Sequence, residues 1–140
     1  MNYLLHTDVV SEWTRPQPNR GVVQFLEDQD EDTLFLSVVT FAELRRGVER
    51  LPEGHRRRRF DVWLRDDLTS RFAGRVLGID DSVADAWGRI VARAETTGRQ
   101  ISAMDAWIAA IARTRGLTLV TRNVRDFANT LDAVVNPWTA

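Results

Sequence analysis

The chain of 140 residues contains neither cysteine nor lysine. Without cysteine it can form no disulfide bond, no thiolate nucleophile and no cysteine-based zinc or iron–sulfur site. Without lysine, all 19 basic residues are arginines. Arginine grips carboxylate and phosphate with two parallel hydrogen bonds, but a uniform arginine bias also arises from genome composition, so the bias leaves both explanations open.

The chain also has little net charge and no long apolar stretch. Its 20 acidic residues nearly balance the basic ones, and the net charge of -1 excludes a uniformly basic surface while allowing a local basic patch. No apolar run approaches the length that crosses a bilayer, and the first ten residues lack the basic segment of a signal peptide. We therefore expect a cytoplasmic protein without membrane contact, folded as a single domain over residues 1–140.

Short apolar runs alternate with segments of helical periodicity. The runs predict buried strands at Tyr3–Leu5, Thr33–Ser37, Val76–Ile79 and Leu117–Thr121, with a possible edge strand at Ala133–Asn136. The periodic segments predict helices at Val9–Thr14, from Asn19 to Leu26, and at Phe41–Leu51, His55–Leu68, Val83–Ala94, Ala103–Arg115 and Asn123–Phe127. This alternation predicts an α/β fold with a mostly parallel sheet of four to five strands flanked by helices.

Acidic and amide side chains stand at the beginnings of several predicted helices. Asp8, Glu43 and Asn123 each follow a predicted strand, Asp105 opens a helix, and Asp126 comes close behind Asn123. Because the carboxyl ends of parallel strands meet at one edge of a sheet, we expect these side chains to converge there. Their mutual repulsion would require a cation, and clustered oxygen ligands suit Mg²⁺ or Mn²⁺.

Helix capping explains each of these residues when it is taken singly. The pairs Thr40/Glu43 and Ser102/Asp105 match the capping box, and Asp8 is a favoured N-cap residue. Capping does not require the acids to lie near one another, whereas a metal site does. The set as a whole therefore favours the metal site over capping alone.

Five short segments stand out in order along the chain: Tyr3–Glu12, Thr40–Gly47, Met104–Ala110, Thr121–Phe127 and Asn136–Trp138. Together they resemble the motifs of PIN-domain toxins of the VapC type, over nearly the whole chain. The resemblance implies a three-layer PIN-like fold and a metal-dependent endoribonuclease, the toxin of a type II toxin–antitoxin system. It also implies a homodimer that acts on RNA, is neutralised by a VapB-type antitoxin, and meets operator DNA only through that antitoxin.

The resemblance also assigns site residues, with Mg²⁺ or Mn²⁺ as the cofactor. Glu43 and Asp105 match acidic positions of the family's metal site. Asn123 falls where some members carry a fourth acid and others this amide, with Asp126 close behind. The resemblance therefore implies catalytic roles for all four of these residues.

The first motif departs from the family at His6. The family usually has Leu-Leu-Asp-Thr-Asn, and its aspartate is a principal metal ligand; here His6 takes that position, and Asp8 stands where the asparagine would be. Three interpretations of His6 remain open. It is an inactivating change, or it belongs to a variant metal site with Asp8, Glu43 and Asp105 that favours Mn²⁺. The third interpretation is a hydrogen-bonded core residue unrelated to metal. An inactivating change at His6 would leave a catalytically silent PIN-like module that retains dimerisation and antitoxin binding.

Three arginines are candidates for contacting RNA phosphates. Arg46 and Arg50 lie four residues apart on one helix face near the expected acidic edge, and Arg122 belongs to the fourth motif. The run Arg56–Arg59 is either a further RNA contact or a solvated helix face that pairs with nearby acids.

Overall fold

Five short strands form one sheet in the computed structural model, which describes residues 1–139. The strands are Tyr3–Leu5 (β1), Leu34–Ser37 (β2), Val76–Leu77 (β3), Thr118–Val120 (β4) and Val134–Val135 (β5). Every neighbouring pair is parallel, and the spatial order is β3-β2-β1-β4-β5. The predicted α/β class with a parallel sheet is confirmed, including the edge strand near the carboxyl terminus.

Helices occupy most of the remaining chain. They are Thr7–Glu12 (α1), Arg20–Asp28 (α2), Val38–Glu49 (α3), His55–Val62 (α4), Thr69–Arg71 (α5), Asp81–Thr96 (α6), Ala103–Arg115 (α7) and Val124–Phe127 (α8). The segment predicted as one helix over His55–Leu68 is continuous, but its last six residues, Trp63–Leu68, adopt π-helical hydrogen bonding. No helix within residues 1–139 is both long enough and apolar enough to span a membrane.

Two hydrophobic cores lie on opposite faces of the sheet. Successive side chains of a strand alternate between faces, so Leu4 packs with α6, α7 and Phe127, while Leu5 packs with α1, α2, α3 and the π-helical segment. Both leucines are fully buried. The result is a helix–sheet–helix arrangement, which confirms the expected three layers.

The central strand β1 marks the point where the chain changes direction across the sheet. The chain runs outward from β1 to β2 and β3, and then returns to the opposite side of β1 with β4 and β5. Loops that leave the carboxyl ends of β1 and β4 therefore diverge, and parallel sheets bind ligands in such a crevice. His6 follows β1 and Thr121 follows β4 at this position.

The observed helix N-caps show which of the predicted capping contacts form. Ser102 Oγ accepts the Asp105 N–H at 3.1 Å, as the predicted cap of α7 requires. The predicted capping box at Thr40 and Glu43 is wrong, because Ser37 caps α3 and its Oγ accepts the Thr40 N–H at 3.0 Å. Asp8 is not an N-cap either, since it lies one residue inside α1. Glu43 and Asp8 are therefore free for other contacts.

Candidate active site

His6 is held rigidly at the junction of β1 and α1. It is the N-cap residue of α1, with extended backbone angles, and its N–H donates to the Val120 carbonyl of β4 at 3.0 Å. The residue is only 6% exposed, and its ring packs edge-to-face on Phe127 with 5.3 Å between centroids. The imidazole therefore has one well-defined orientation between β1 and β4.

Both ring nitrogens of His6 face polar partners. Nδ1 lies 2.8 Å from Thr121 Oγ1, and Nε2 lies 3.2 Å from Asp105 Oδ1. The single hydroxyl proton of Thr121 is donated to Asp8 Oδ2 at 3.2 Å, so Thr121 must accept the hydrogen of Nδ1. Nε2 faces a carboxylate and donates as well. Both nitrogens thus carry a hydrogen, and His6 is an imidazolium in this metal-free arrangement.

The titration of His6 and Asp8 agrees with this assignment. Burial lowers the pKa of His6, but hydrogen bonds and charge from Asp105 and Asp8 outweigh it and raise the pKa from 6.5 to about 9. Burial raises the pKa of Asp8, but the neighbouring imidazolium outweighs it and holds that pKa below its ordinary value. At neutral pH the two residues form a pair of opposite charges, in which His6 is buried and Asp8 half-buried.

Asp8 uses only one of its carboxylate oxygens for hydrogen bonding. Oδ2 accepts the Arg122 N–H at 2.9 Å and the Thr121 hydroxyl at 3.2 Å. Oδ1 is buried and accepts no hydrogen bond, although it lies 3.3 Å from Nδ1 of His6. The charge of His6 compensates this otherwise unsatisfied oxygen, because the Nδ1 hydrogen itself points to Thr121.

Glu43 approaches the same edge of the sheet from α3. The Thr7 hydroxyl donates to Glu43 Oε1 at 2.6 Å and contacts Thr40 Oγ1 at 3.1 Å. Consecutive residues of the β1–α1 junction thus contact two different acids, His6 contacting Asp105 and Thr7 contacting Glu43. Glu43 also lines an open pocket of about 280 Å³ whose opposite wall includes Trp63 of the π-helical segment.

The two predicted site residues that follow β4, Asn123 and Asp126, have different surroundings. Asn123 is exposed, and its N–H donates to Thr121 Oγ1 at 3.0 Å. Its backbone therefore belongs to the polar network that His6, Asp8, Asp105 and Thr121 form. Asp126 is also exposed and lines a shallow pocket with Arg99 and Gln100, at the end of α6. Within residues 1–139, the side chain of Asp126 makes no hydrogen bond or ion pair with the other predicted site residues.

The three candidate arginines also differ in position. Arg122 is exposed directly beside the network, with its N–H on Asp8 and its guanidinium carbon 5.7 Å from the centroid of the Trp138 ring. Arg46 and Arg50 are exposed on the last part of α3. Of the three, only Arg122 touches a residue of the network.

Within the run Arg56–Arg59, most side chains are exposed. Arg57 pairs with Glu49 at 3.2 Å, and Arg56 lies over the Phe60 ring. Asp61, a predicted partner of the run, pairs instead with Arg45 at 2.8 Å. This segment is accordingly a solvated helix face with few ion pairs.

Two threonines that connect the site were not predicted from the sequence. Thr121 joins His6, Asp8 and the Asn123 backbone, and Thr7 fixes Glu43. Each stands close behind a strand that ends at the site, and this position is the signal that could have identified them. Threonine is common in many other local roles, so the residue type alone carries little information.

The donor set was tested for its fit to a divalent cation. Among residues 1–139, no three histidine, aspartate or glutamate side chains are arranged to hold a metal ion by themselves. Cations such as Mg²⁺ do not require such a cage, because they keep several waters and bind through one or two carboxylates. Asp105 and the imidazole of His6, 3.2 Å apart, therefore fit a water-rich cation site with two protein ligands.

Comparison with known proteins gives the same family over nearly the whole chain. The family model described as PIN domain matches residues 3–131. Toxin FitB of Neisseria gonorrhoeae is 41% identical over 135 residues, covering 96% of this chain and 97% of FitB. VapC ribonuclease Y4jK of Sinorhizobium fredii is 36% identical over 135 residues, covering 96% of each chain.

Solved structures agree with the sequence relatives. The crystal structure of FitAcB from Neisseria gonorrhoeae superposes with a TM-score of 0.91 at 40% identity and covers 99% of both chains. The structure of FitAB bound to an IR36 DNA fragment gives a TM-score of 0.91 at 38% identity, covering 99% of this chain and 96% of that one. The likeness therefore extends to the complete fold.

Proposed function

The chain belongs to the PIN-domain family, and from that premise we propose that it is the toxin of a type II toxin–antitoxin system. Its activity is that of a divalent-metal-dependent endoribonuclease, which a VapB-type antitoxin neutralises. The observation that carries the proposal is the polar network at the carboxyl ends of β1 and β4, where Asp105 and Asp8 meet around His6. The names of the relatives, a toxin and a VapC ribonuclease, support it.

The cation is Mg²⁺ or Mn²⁺, and Asp105 and Glu43 are the acids that would hold it. His6 and Asp8 are the two further candidates, because both stand at the end of β1. When bound, the cation supplies positive charge beside the phosphoryl oxygens of the scissile bond. Asn123 is a further catalytic candidate, and its backbone N–H contacts Thr121.

The remaining steps fall to side chains of the chain itself. Thr7 fixes Oε1 of Glu43, which leaves Oε2 available to the cation, and a neighbouring acid would accept a proton from the attacking water. Arg122, exposed beside Asp8, would bind a phosphate of the RNA, and Arg46 and Arg50, exposed at the end of α3, would be further phosphate contacts. We assign no direct role to Asp126, which is exposed and lines a pocket with Arg99 and Gln100.

The proposed partners follow from the same relatives. The structural neighbours include FitAcB and FitAB, the latter bound to DNA. For this chain we propose a homodimer that binds its antitoxin directly and reaches operator DNA only through it. The single domain over residues 1–140 and the cytoplasmic location stay predictions.

Cleavage of a structured RNA by the purified full-length chain tests the proposal. We expect cleavage with Mg²⁺ or Mn²⁺, no cleavage with a chelator, and loss of cleavage in Asp105→Asn, which keeps the side-chain shape but removes the charge. Asp85→Asn is the matched control, because Asp85 is exposed on α6 and, among residues 1–139, pairs only with Arg89.

Two results would contradict the proposal. Cleavage that persists in Asp105→Asn would show that the activity lies elsewhere. Absence of cleavage with either metal, in a chain that still binds its antitoxin, would establish the catalytically silent module instead.

A further inference from the structure

An imidazole occupies the most central position of the site. His6 lies between Asp8 and Asp105, with 3.3 Å from Nδ1 to Asp8 Oδ1 and 3.2 Å from Nε2 to Asp105 Oδ1. The sequence leaves open whether Asp8 or His6 takes the place of the family's aspartate. The contacts of the two ring nitrogens decide between them.

The Nε2 side of the ring has the spacing of two adjacent metal ligands. Ligands about 2.1 Å from an octahedral cation lie about 3.0 Å apart when they are neighbours. The Nε2 atom of His6 and Oδ1 of Asp105 are 3.2 Å apart. A small adjustment would therefore let both atoms bind one cation, which would replace the hydrogen they share.

The Nδ1 side of the ring has the contacts of an orienting shell. Metal-binding histidines donate their other ring N–H to a hydrogen-bond acceptor, which fixes the ring and its tautomer. Here Nδ1 donates to Thr121 Oγ1, which donates in turn to Asp8 Oδ2, and the Arg122 N–H fixes that oxygen. The Phe127 ring packs on the same imidazole. His6 is thus positioned from every side except that of Nε2.

Asp8 is on the wrong side of the ring to share that cation. The two nitrogens of an imidazole point in diverging directions, and Asp8 Oδ1 is next to Nδ1. Its other oxygen already accepts two hydrogen bonds. Asp8 therefore acts on the site through His6.

We propose that His6 Nε2 and Asp105 Oδ1 are adjacent ligands of one divalent cation, that Asp8 positions His6 through Thr121, and that this set prefers Mn²⁺ to Mg²⁺. The preference follows because Mg²⁺ selects oxygen ligands, whereas imidazole suits transition metals. The inference deepens the proposed function and depends on it only in requiring a divalent cation.

Metal binding without RNA tests this inference. Titration calorimetry of the metal-free full-length chain with Mn²⁺ and with Mg²⁺ measures the preference, and pulsed electron paramagnetic resonance of bound Mn²⁺ detects coupling to an imidazole nitrogen. We expect tighter binding of Mn²⁺ and a clear nitrogen coupling. In His6→Asp the nitrogen coupling should disappear and the preference for Mn²⁺ should decrease, while Mg²⁺ still binds.

The chain supplies a matched control, because His55 is its only other histidine and is exposed at the start of α4. His55→Asp should keep both the coupling and the preference. Asp8→Asn should keep the nitrogen coupling but weaken Mn²⁺ binding about 10- to 100-fold, as loss of an orienting partner does. Circular dichroism of each variant confirms that it is folded.

The outcomes separate this inference from the proposed function. RNA cleavage by a chain that binds Mn²⁺ without nitrogen coupling, or that prefers Mg²⁺, would overturn the inference and leave the ribonuclease intact. Loss of the coupling in His55→Asp would overturn it as well. Absence of both metal binding and cleavage would overturn the two together.

Discussion

The imidazolium of His6, held between Asp105 and Asp8, predicts that the metal-free protein loses stability in mildly alkaline solution. Folding raises the pKa of His6 from 6.5 to about 9. Because the folded-state pKa is the higher one, the stabilisation is complete below pH 6.5 and is lost as the pH rises through about 9. At about 1.4 kcal/mol per pH unit, the shift corresponds to roughly 3 kcal/mol of the free energy of unfolding.

The composition makes this effect unusually easy to assign. The chain has no cysteine, no lysine and only two histidines, so few side chains titrate between pH 6.5 and 9. Folding lowers the pKa of Asp8, so its contribution is present above its ordinary pKa of 3.8 and is lost only in acid. Both shifts describe one ion pair, and their energies are not added.

Urea unfolding, followed by the fluorescence of the five tryptophans, measures the effect in a chelating buffer from about pH 6 to about pH 10. The free energy of unfolding of the wild type should fall across this range, and that of His6→Gln should fall much less. His55→Gln should follow the wild type, because the side chain of His55 is exposed. A wild-type slope equal to that of His6→Gln would refute the assignment of a buried imidazolium.

Three further changes test the packing and hydrogen bonding around the site by urea unfolding. Gly21→Ala should destabilise the protein by about 1–3 kcal/mol, because a Cβ there overlaps the Pro137 carbonyl oxygen. Its control, Gly88→Ala, lies in open space on α6 and should stabilise the protein by about 0.5–1 kcal/mol. Equal effects of the two substitutions would contradict the close packing at Gly21. Ser37→Ala should cost about 1 kcal/mol through loss of the α3 cap, and an unchanged midpoint would show that Ser37 does not cap. Thr121→Val should cost about 1–3 kcal/mol because it leaves polar groups of the buried network without partners, and it should also reduce the alkaline loss of stability; a neutral effect would place the network outside the folded core.

The sequence predicted the elements that depend on local pattern. Leu4 and Leu5 are apolar on both faces of a strand, which is typical of a buried parallel strand, and the structure packs each into a different core. The positions of Asp105 and Glu43 near one edge followed from that topology. These predictions required only periodicity and the direction of parallel strands.

The contacts inside the site could not be predicted in the same way. His6 and Thr121 are 115 residues apart, and nothing local indicates that their side chains meet. The position of Asp126 depends on where a four-residue helix begins, a boundary that composition does not define. The predicted capping role of Thr40 was wrong because Ser37, three residues earlier, is the residue that caps α3.

The pairing of β1 with β4 has a consequence for when the site comes into existence. Strand β1 can pair with β4 only after residues 118–120 have been synthesised, since Tyr3 pairs with Thr118 and Leu5 with Val120. At a synthesis rate of about 5–20 residues per second, most of the translation time passes before the two halves of the site can meet. Contacts between residues so distant along the chain also form slowly. A nascent or prematurely terminated chain that ends before β4 lacks Thr121 and Arg122, so the order of the strands keeps an incomplete chain from assembling this site.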